Sequence, residues 1–390
     1  MRKLRTLLFL GLLWTPAWAT ATPYANFGTI TIDHTKVSGS ANLANFTVGI
    51  ELSDASFKLY SADPTNGKIR NTATVNGQTV PTDLIFTTDS SGLSPMNWEI
   101  ESYDGTNGVV WAWVKITSLS HAADTVLYVF YGNSSVATFQ GGAQGAAWDA
   151  YTAGVWHFGT PLNLTDSSAN NNAMMNHSVT AQASAQIGGG ATFVSSHYLS
   201  GPSGGSLNIT GRPITISAWI KQSTTSVYEH ILAKGIWSSN NYQYGLRLSS
   251  TNTIVLLTSD GSGGVSVEGS TGTITTGQWT HVAGSQDATN MYLYINGALD
   301  RSVTDGKTIT SQTCVLVIGA TSDDSWAFPG DLDEIRVAST TRSGDWLKTE
   351  YNNGSAMTTF SAVSGLGACS GVCGAGGAAS AAVTLTPIIV

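Results

Sequence analysis

Charged side chains are scarce in this sequence. Asp, Glu, Lys and Arg together make up 11% of its 390 residues, against about 25% in an average globular protein. Gly, Ser, Thr and Asn take their place, a composition typical of secreted all-β proteins with many turns. Basic residues are fewer than acidic ones, with 17 Lys and Arg against 25 Asp and Glu. This acidic balance argues against nucleic acid or an anionic membrane surface as a partner.

Cysteine is also rare, with three residues in the whole chain. A chain of this length can bury its cores without disulfides. Cys314 begins an apolar run, residues 314–318, and is predicted to be a buried small hydrophobe. Cys369 and Cys373 are separated by three residues in a Gly/Ala-rich tail. There we predict a local disulfide rather than a metal site, because two thiols alone rarely hold a metal ion.

The N-terminal apolar run, Leu7 to Trp14, is too short to span a bilayer. It follows a basic segment and precedes two A-x-A cleavage candidates, which end at Ala19 and Ala21. This is the pattern of an export signal, although a cytosolic N-terminal helix is the alternative. We therefore predict a signal peptide over residues 1–19 and a secreted or cell-surface protein that does not span the membrane. Cleavage after Ala19 would change the net charge from −8 to −11, since it removes three basic residues and no acid.

Helical periodicity is missing between Tyr24 and Ala137. Short runs of β-branched and aromatic residues alternate there with turn pairs such as Asn76-Gly77. In the run Val109 to Ile116, one face carries Val110, Ala112, Val114 and Ile116, which are predicted to face a core. The pattern predicts a β-sandwich domain over residues 24–137.

The first domain resembles the bacterial family known as domain of unknown function 2341. The resemblance rests on ordered motifs that include Asn45 to Val48, Trp98 to Asp104 and Tyr131 to Asn133. The family's aromatic-Arg pair before the first strand is not evident here. The resemblance implies an exported accessory domain and carries over no catalytic residue.

A short linker, residues 138–147, precedes a second predicted domain over residues 148–365. Clean alternation in Ile214 to Ile220 and a hairpin at Asn296-Gly297 indicate many strands, which require two packed sheets in a jelly roll. One short helix is predicted over Gly344 to Tyr351, with Ser343 as its N-cap and residues 352–354 as its end. Residues 366–390 are predicted to be a disordered tail. The fold class is therefore all-β, with two β-sandwich domains.

The second domain resembles the laminin-G-like, concanavalin A-like jelly rolls of bacterial surface proteins. The resemblance rests on a series of motifs that includes Ile214 to Ile220, Leu293 to Gly297 and Phe328 to Val337. It implies a fold that commonly holds one structural calcium ion and often binds glycans. The family's early loop motif Asp-x-Ser-Gly-Asn appears here as residues 166–170, with Ala169 in place of the glycine.

A calcium site is predicted at the mouth of the strand over Phe328 to Val337. Alternation places Asp333 on the core face with Ile335 and Val337, where a carboxylate needs a cation or several donors. Calcium prefers six to eight oxygen ligands, and the predicted set is Asp166, Asn170 and Asp333. The alternative is that Asp166 forms an Asx turn and Asp333 accepts backbone hydrogen bonds.

Catalytic signals are weak. Residues 201–205 match the nucleophile-elbow pattern, but that motif needs a strand-to-helix turn in an α/β sheet. Glu99 and Glu101 share a strand face and could form a paired-carboxylate glycosidase, although alternating acids on a solvated strand are common. Seven histidines show no metalloprotease spacing, and His157 and His281 are predicted to pack within strands.

Aromatic residues give the clearer functional hint, because flat exposed rings hold the faces of sugars. Predicted platforms are Trp111 with Trp113, or the ligand-binding residues Trp237, Tyr242 and Trp326. We therefore predict a non-catalytic binding protein that recognises a glycan or a cell-surface protein. A carbohydrate-active enzyme and a structural envelope or appendage subunit are the alternatives.

Overall fold

The structure, a computed structural model, describes residues 24–369 except 226–227, 237–240, 263–264 and 306, and only the backbone of 241 and 265–268. The predicted signal peptide, the predicted disulfide partner Cys373 and most of the predicted tail lie outside the described residues. The first part of the chain forms eight strands: β1 (Asn26–Ile32), β2 (Leu43–Ser53), β3 (Thr72–Val75), β4 (Gln78–Pro81), β5 (Leu84–Thr87), β6 (Trp98–Asp104), β7 (Val109–Leu119) and β8 (Thr125–Tyr131).

The second part forms fifteen strands followed by two helices and a last strand. The first of them are β9 (Thr152–Trp156), β10 (Met175–His177), β11 (Thr180–Gln182), β12 (Gly190–Phe193), β13 (Tyr198–Ser200), β14 (Ile214–Gln222), β15 (Glu229–Ile236) and β16 (Asn241–Leu248). The others are β17 (Thr253–Ser259), β18 (Val265–Thr273), β19 (Thr280–Gln286), β20 (Asn290–Ile295), β21 (Ala298–Thr304), β22 (Leu316–Ile318) and β23 (Gly330–Ala338). The chain continues with α1 (Gly344–Ser355), α2 (Met357–Phe360) and β24 (Ser361–Ala368).

The all-β prediction with two sandwiches is confirmed. In the first sandwich, a four-stranded sheet (β24-β1-β8-β5) faces a three-stranded sheet (β2-β7-β6), and β3 pairs with β4 as a separate hairpin. In the second, a seven-stranded sheet (β10-β13-β22-β15-β16-β17-β18) faces an eight-stranded sheet (β11-β12-β23-β14-β19-β20-β21 with β9 beside β23). Each pair of sheets encloses its own hydrophobic core.

Strand alternation predicts the core of the first sandwich correctly. Val110, Ala112, Val114 and Ile116 of β7 all lie in that core. Asn76 and Gly77 both have positive φ angles, 49° and 80°, as a two-residue hairpin between β3 and β4 requires. Local patterns therefore suffice where one face of a strand is apolar.

The last strand belongs to the first sandwich. β24 pairs antiparallel with β1, from Asn26 opposite Ala368 to Ile32 opposite Ser361. Val363 and Leu366 pack against the core of the first sandwich. β24 therefore extends across residue 365, the predicted boundary between the second domain and a disordered tail. A Gly-rich strand of low hydrophobicity gives no sign of this pairing, because its partner is more than 300 residues earlier in the chain.

The two sandwiches are packed against each other. The three-stranded sheet presents its outer face to the eight-stranded sheet, and Trp113 of β7 joins Val155 of β9, Trp148, Ile187 and Met357 in a small apolar cluster. Lys115 of β7 donates a hydrogen bond to the carbonyl of Trp148 over 2.8 Å. The face of β7 that carries Trp113 is therefore covered, and this residue, 2% exposed, cannot serve as the predicted platform.

Helix α1 begins as predicted, with the Ser343 hydroxyl accepting a hydrogen bond from the Trp346 amide over 3.2 Å. It continues four residues beyond the predicted end at Tyr351. The side-chain amide of Asn353 pairs with both backbone groups of Gly49 on β2, over 2.7 and 2.8 Å, and Gly354 packs against Trp219. Contacts with both sandwiches thus override the helix-ending tendency of residues 352–354. No helix among the described residues has the length and apolarity that a membrane span requires.

Candidate functional site

A cavity of about 170 Å³ lies at the junction of the two sandwiches. Its wall includes Glu99 and Glu101 of β6 on one side and the segment that follows β9 on the other. Polar and aromatic side chains meet in this wall: Asn76, Gln78, Trp98, Glu99, Glu101, Phe139, Gln144, His157, Phe158 and Asn163.

A bulge in β6 directs the two glutamates. Ile100 is opposite Ala112 of β7 and Ser102 is opposite Trp111. Glu101 therefore has no residue opposite it on β7 and forms a β-bulge. Such a bulge changes the direction of a side chain. Glu101 is 2% exposed, and its Oε2 accepts a hydrogen bond from Nε1 of Trp113 over 2.9 Å. Glu99 accepts a hydrogen bond from Nε1 of Trp148 over 2.8 Å.

A second bulge, in β23, directs the acids of the other sandwich. Asp333 is opposite Trp219 of β14 while Arg336 is opposite Ser217, so two residues of β23 face one residue of β14. Glu334 lies at this bulge with a φ of 51°, a left-handed conformation that is uncommon for a residue other than glycine. The bulge reverses the alternation, so that Leu332 rather than Asp333 lies in the core with Ile335 and Val337.

The prediction that Asp333 shares the core face with Ile335 is therefore wrong. Asp333 is fully buried, but it points to the layer between the sandwiches, where its Oδ2 accepts a hydrogen bond from the Ile187 amide over 2.8 Å. Burial, together with the Glu334 and Glu101 carboxylates, raises the pKa of Asp333 well above its ordinary value.

His157 joins the acids of the two sandwiches. Its Nε2 lies 2.9 Å from Oε1 of Glu99 on β6, and its Nδ1 is hydrogen-bonded to Oε1 of Glu334 on β23. Burial opposes a charge on this ring, but Glu334 and Glu99 outweigh it and raise the pKa of His157 well above its ordinary value. The predicted packing of His157 within a strand is thus only part of its environment, because both ring nitrogens bond to carboxylates.

Arg336 continues the network away from the cavity. Its Nη2 lies 2.6 Å from Oε2 of Glu334, and its guanidinium packs on the rings of Trp113 and Trp148, 4.5 and 5.0 Å from their centres. Burial opposes ionisation of Glu334, but His157 and Arg336 hold the pKa of that carboxyl below its ordinary value.

Glu350 of α1 ends the network. Its Oε2 lies 3.5 Å from Arg336, and its Oε1 accepts hydrogen bonds from Ser217 over 2.6 Å and from His281 over 3.1 Å. Burial acts against the ionised form, yet Arg336 and His281 lower the pKa of Glu350 to about 2. The helix thereby attaches to the outer face of the eight-stranded sheet by charge as well as by packing.

Two acids of the cluster keep an oxygen without a hydrogen-bond partner in the described part of the chain. They are Oε1 of Glu101 and Oδ1 of Asp333, both buried. Burial and the Glu334 carboxylate raise the pKa of Glu101. On the cavity wall, the buried Nε1 of Trp98 also lacks a partner among the described residues. Buried polar groups without partners cost free energy, so they mark where a ligand would be favoured.

Two of the predicted calcium ligands, Asp166 and Asn170, form hydrogen bonds within the protein. Both oxygens of Asp166 are taken by hydrogen bonds: Val155 N at 2.9 Å and Ser168 N at 2.8 Å donate to Oδ1, and Ser168 Oγ, Asn172 N and Asn172 Nδ2 donate to Oδ2 at 2.8, 2.8 and 3.0 Å. The Asn170 amide donates to the carbonyls of Thr152 and Ala153. N–H and O–H groups point at the carboxylate where a cation would have to bind. This geometry matches the Asx-turn alternative.

The three predicted ligand-binding aromatics have different outcomes. Trp237 lies outside the described residues. Tyr242 is fully buried with Ala233, Val255 and Leu257, so its ring is not available to a sugar, contrary to the prediction. Trp326 is half-buried on a shallow depression, with its ring 4.8 Å from that of Tyr228. Of these three aromatic residues, the two that the structure describes are Tyr242 and Trp326, and only Trp326 is partly exposed, as a ligand-binding ring requires.

The nucleophile-elbow match at residues 201–205 lies between β13 and a single 3-10 turn at Gly205–Leu207. The strand-to-helix turn of that motif is not present there.

Sequence reasoning missed the junction of Glu334, His157 and Glu99, which spans both sandwiches. The sequence does show two acids on β6, a run of acids before Arg336 and a histidine beside a tryptophan. No local pattern indicates that these side chains contact one another in the folded protein.

Part of the second sandwich is similar to a known superfamily. Residues 193–348 match the family model of the concanavalin A-like lectin/glucanases superfamily. The matched segment runs from the end of β12 through β23 into α1, and it supports the resemblance of the second domain. The resemblance of the first domain stays a prediction. A search among curated proteins finds no match for this chain.

Several solved structures also align with this chain. Domain 4 of AbnA, an extracellular GH43 arabinanase of Geobacillus stearothermophilus in complex with arabinotriose, is 19% identical with a TM-score of 0.41, over 52% of this chain and 98% of that one. The binding domain of Paraclostridial Mosquitocidal Protein 1 is 14% identical (TM-score 0.43, 52% of each chain). The ligand-binding domain of botulinum neurotoxin serotype D, with N-acetylneuraminic acid, is 18% identical (TM-score 0.42, 52% and 50%). This chain thus spans about half the length of the two toxin chains.

Proposed function

We propose that this protein is an exported, non-catalytic binding protein that holds a glycan in the cavity between its two sandwiches. The observation that carries the proposal is the buried Trp98 Nε1, which has no partner among the described residues, beside the amide of the buried residue Gln78 on the same cavity wall. Together they offer two kinds of donor and an acceptor. Sugar hydroxyls both donate and accept hydrogen bonds and can satisfy such a set.

The shape and the lining of the cavity also favour a sugar. Phe139 adds a half-buried ring to the same wall, and aromatic rings pack against the apolar faces of sugars. A concave site with a few converging polar groups is typical of small ligands, whereas a protein partner needs a larger and flatter surface. The match of residues 193–348 to the model of a superfamily named for lectins agrees with this class of ligand. Export rests on the N-terminal segment of the sequence, and N-terminal sequencing of the mature protein tests it, with cleavage after Ala19 expected.

The test uses a glycan array followed by calorimetry on the whole chain. Trp98→Phe removes the indole N–H but keeps an aromatic ring, and Gln78→Ala removes the amide. We expect each to weaken binding of the array hit by about 10-fold or more, since each deletes a buried hydrogen bond to the ligand. Gln278→Ala is the matched control, because Gln278 is exposed and does not line the cavity. Equal affinity in all four proteins would place the glycan elsewhere, with Trp326 as the next position to substitute.

A glycoside hydrolase is the second candidate, because Glu99 and Glu101 line the same cavity. Carboxylates on one site are the groups that hydrolyse glycosidic bonds. Release of reducing sugar from the bound glycan, lost in Glu99→Gln and in Glu101→Gln, would support the enzyme. Binding without turnover supports the binding protein.

A further inference from the structure

We propose that Glu101, His157 and Glu334 form a site for one divalent transition-metal ion between the two sandwiches. Each residue offers one ligand atom, and these atoms lie within 4.8 Å of one another in a buried group. The three residues come from β6, the end of β9 and β23, so the ion would join the two sandwiches. This inference does not depend on the proposed glycan, because the ion would be held by Glu101, His157 and Glu334 rather than by Trp98 and Gln78.

The hydrogen bonds around the two glutamates leave one oxygen of each directed to this group. Trp113 occupies Oε2 of Glu101, and Arg336 occupies Oε2 of Glu334. Oε1 of Glu334 faces Nδ1 of His157, and Oε1 of Glu101 is buried without a partner among the described residues. An unpartnered carboxylate oxygen in a residue that is 2% exposed is the observation that points to a ligand.

The surroundings resemble the support that proteins build behind metal ligands. Metal-binding histidines usually hold a carboxylate on the ring nitrogen away from the ion. Here Nε2 of His157 bonds to Glu99 over 2.9 Å, and Trp148 in turn donates to Glu99 over 2.8 Å. An ion would take the place of the proton between Nδ1 and Oε1 of Glu334, and that proton would be released on binding.

The charges also favour a cation. Glu101, Glu334 and Asp333 are all at most 2% exposed, and Asp333 Oδ1 is a second buried oxygen without a partner in the described residues. The cations in contact with Glu334 are His157 and Arg336. Uncompensated buried carboxylates are costly, and a divalent ion would offset that cost.

The donor set indicates the class of ion. An imidazole with two carboxylates suits zinc and its neighbours, whereas calcium requires six to eight oxygens. Ligand atoms of one zinc ion lie about 3 to 4 Å apart, which small rotations of these side chains would reach. Glu101 and His157 both line the cavity, which supplies an entry path and room for water as a fourth ligand.

The second group with suitable spacing, Asp33, His34 and Asp124, carries no such proposal. It is at the surface, and Oδ1 of Asp33 already accepts two hydrogen bonds from Thr35. It provides a matched control on the same molecule.

The test measures metal binding to the whole chain after dialysis against a chelator. Calorimetry with ZnCl2, and visible absorption with CoCl2, are expected to show one equivalent of ion and a cobalt spectrum of mixed nitrogen and oxygen ligands. Glu101→Gln and His157→Ala are expected to weaken binding at least 100-fold, whereas His34→Ala leaves it unchanged. Glu101→Gln keeps the size of the side chain and an acceptor for Trp113, and its circular dichroism without metal checks that it folds.

Absence of cobalt absorption in the parent protein would overturn the proposal without any variant. A loss of binding in His34→Ala, or equal binding in Glu101→Gln and the parent, would also overturn it. Glycan binding is measured separately on the chelator-treated protein, so failure of the metal site and failure of the glycan site give different results.

Discussion

The Nε2 of His157 lies 2.9 Å from Oε1 of Glu99, although the two residues belong to different sandwiches. The other nitrogen of the ring bonds to Glu334. The imidazole thus bridges carboxyl groups of both sandwiches beside the rings of Trp113 and Trp148, and this arrangement has measurable consequences for stability.

Loss of His157 is expected to destabilise the whole protein. His157→Ala leaves Glu334, whose side chain is 1% exposed, and Glu99 without their common partner. Removing one member of a buried ion pair costs about 3 to 5 kcal/mol. Urea unfolding followed by tryptophan fluorescence measures the change. His34→Ala, which removes a half-exposed pair with Asp124, is the control, with an expected loss below about 1 kcal/mol. Similar losses in the two variants would contradict the structural role of the junction.

Acid is expected to weaken the attachment of α1. The pKa of Glu350 is 4.5 in the unfolded chain and about 2 in the folded protein. A lowered folded pKa gives stability that is present above pH 4.5 and is lost as the pH falls toward 2. The full difference is on the order of 3 kcal/mol.

Glu350→Gln removes this ionisation, so its free energy of unfolding should fall less between pH 5 and pH 3 than that of the parent protein. Glu51→Gln, at a partly exposed position on β2, should keep the parental pH dependence. Parallel curves for Glu350→Gln and the parent would contradict the assignment.

The Asp166 turn is expected to be a structural element that needs no calcium. Asp166→Ala deprives five donors of their acceptor, and each buried donor left unpaired costs about 1 kcal/mol or more. We expect a loss of at least about 3 kcal/mol in the free energy of unfolding.

Asp63→Ala removes a similar but exposed turn and is expected to cost far less. Calcium is expected to leave the melting temperature of the parent protein unchanged. A calcium-dependent rise that disappears in Asp166→Ala would show that this loop does bind calcium.

The C-terminal strand is expected to stabilise the first sandwich. A chain that ends after Phe360 lacks β24, which leaves the edge of β1 unpaired and removes Val363 and Leu366 from the core. The buried apolar area implies a loss of about 2 to 4 kcal/mol, and the bare edge favours self-association. Thermal melting and light scattering measure the two effects. A chain that ends after Cys369 keeps β24 and should behave as the parent does; equal stability of the two truncated chains would contradict the pairing.

Local patterns predicted much of the fold for a clear reason. The alternation in β7, the hairpin at Asn76-Gly77 and the Ser343 cap each involve residues within a few positions of one another. Backbone geometry and the burial of one apolar face decide such features, and both are visible in a short window of sequence.

The candidate site could be predicted only in part. The acid-rich strand β23 and the pair Glu99 and Glu101 drew attention from the sequence alone, but the bulge at Glu334 reversed the facing of Asp333. One extra residue in a strand moves every later side chain to the other face, and neither the position of the bulge nor the strand opposite it can be seen in the sequence of β23.

By itself, the sequence determined that this chain forms two sandwiches, because its strands, turns and low charge admit no other class of core. Only the tertiary structure decided that the outer face of β7 is buried, that β24 completes the first sandwich, and that Glu99, His157 and Glu334 meet. Each of these depends on contacts between segments separated by 33 residues or more, and the free energy of such contacts belongs to the packing of whole sheets rather than to any local pattern.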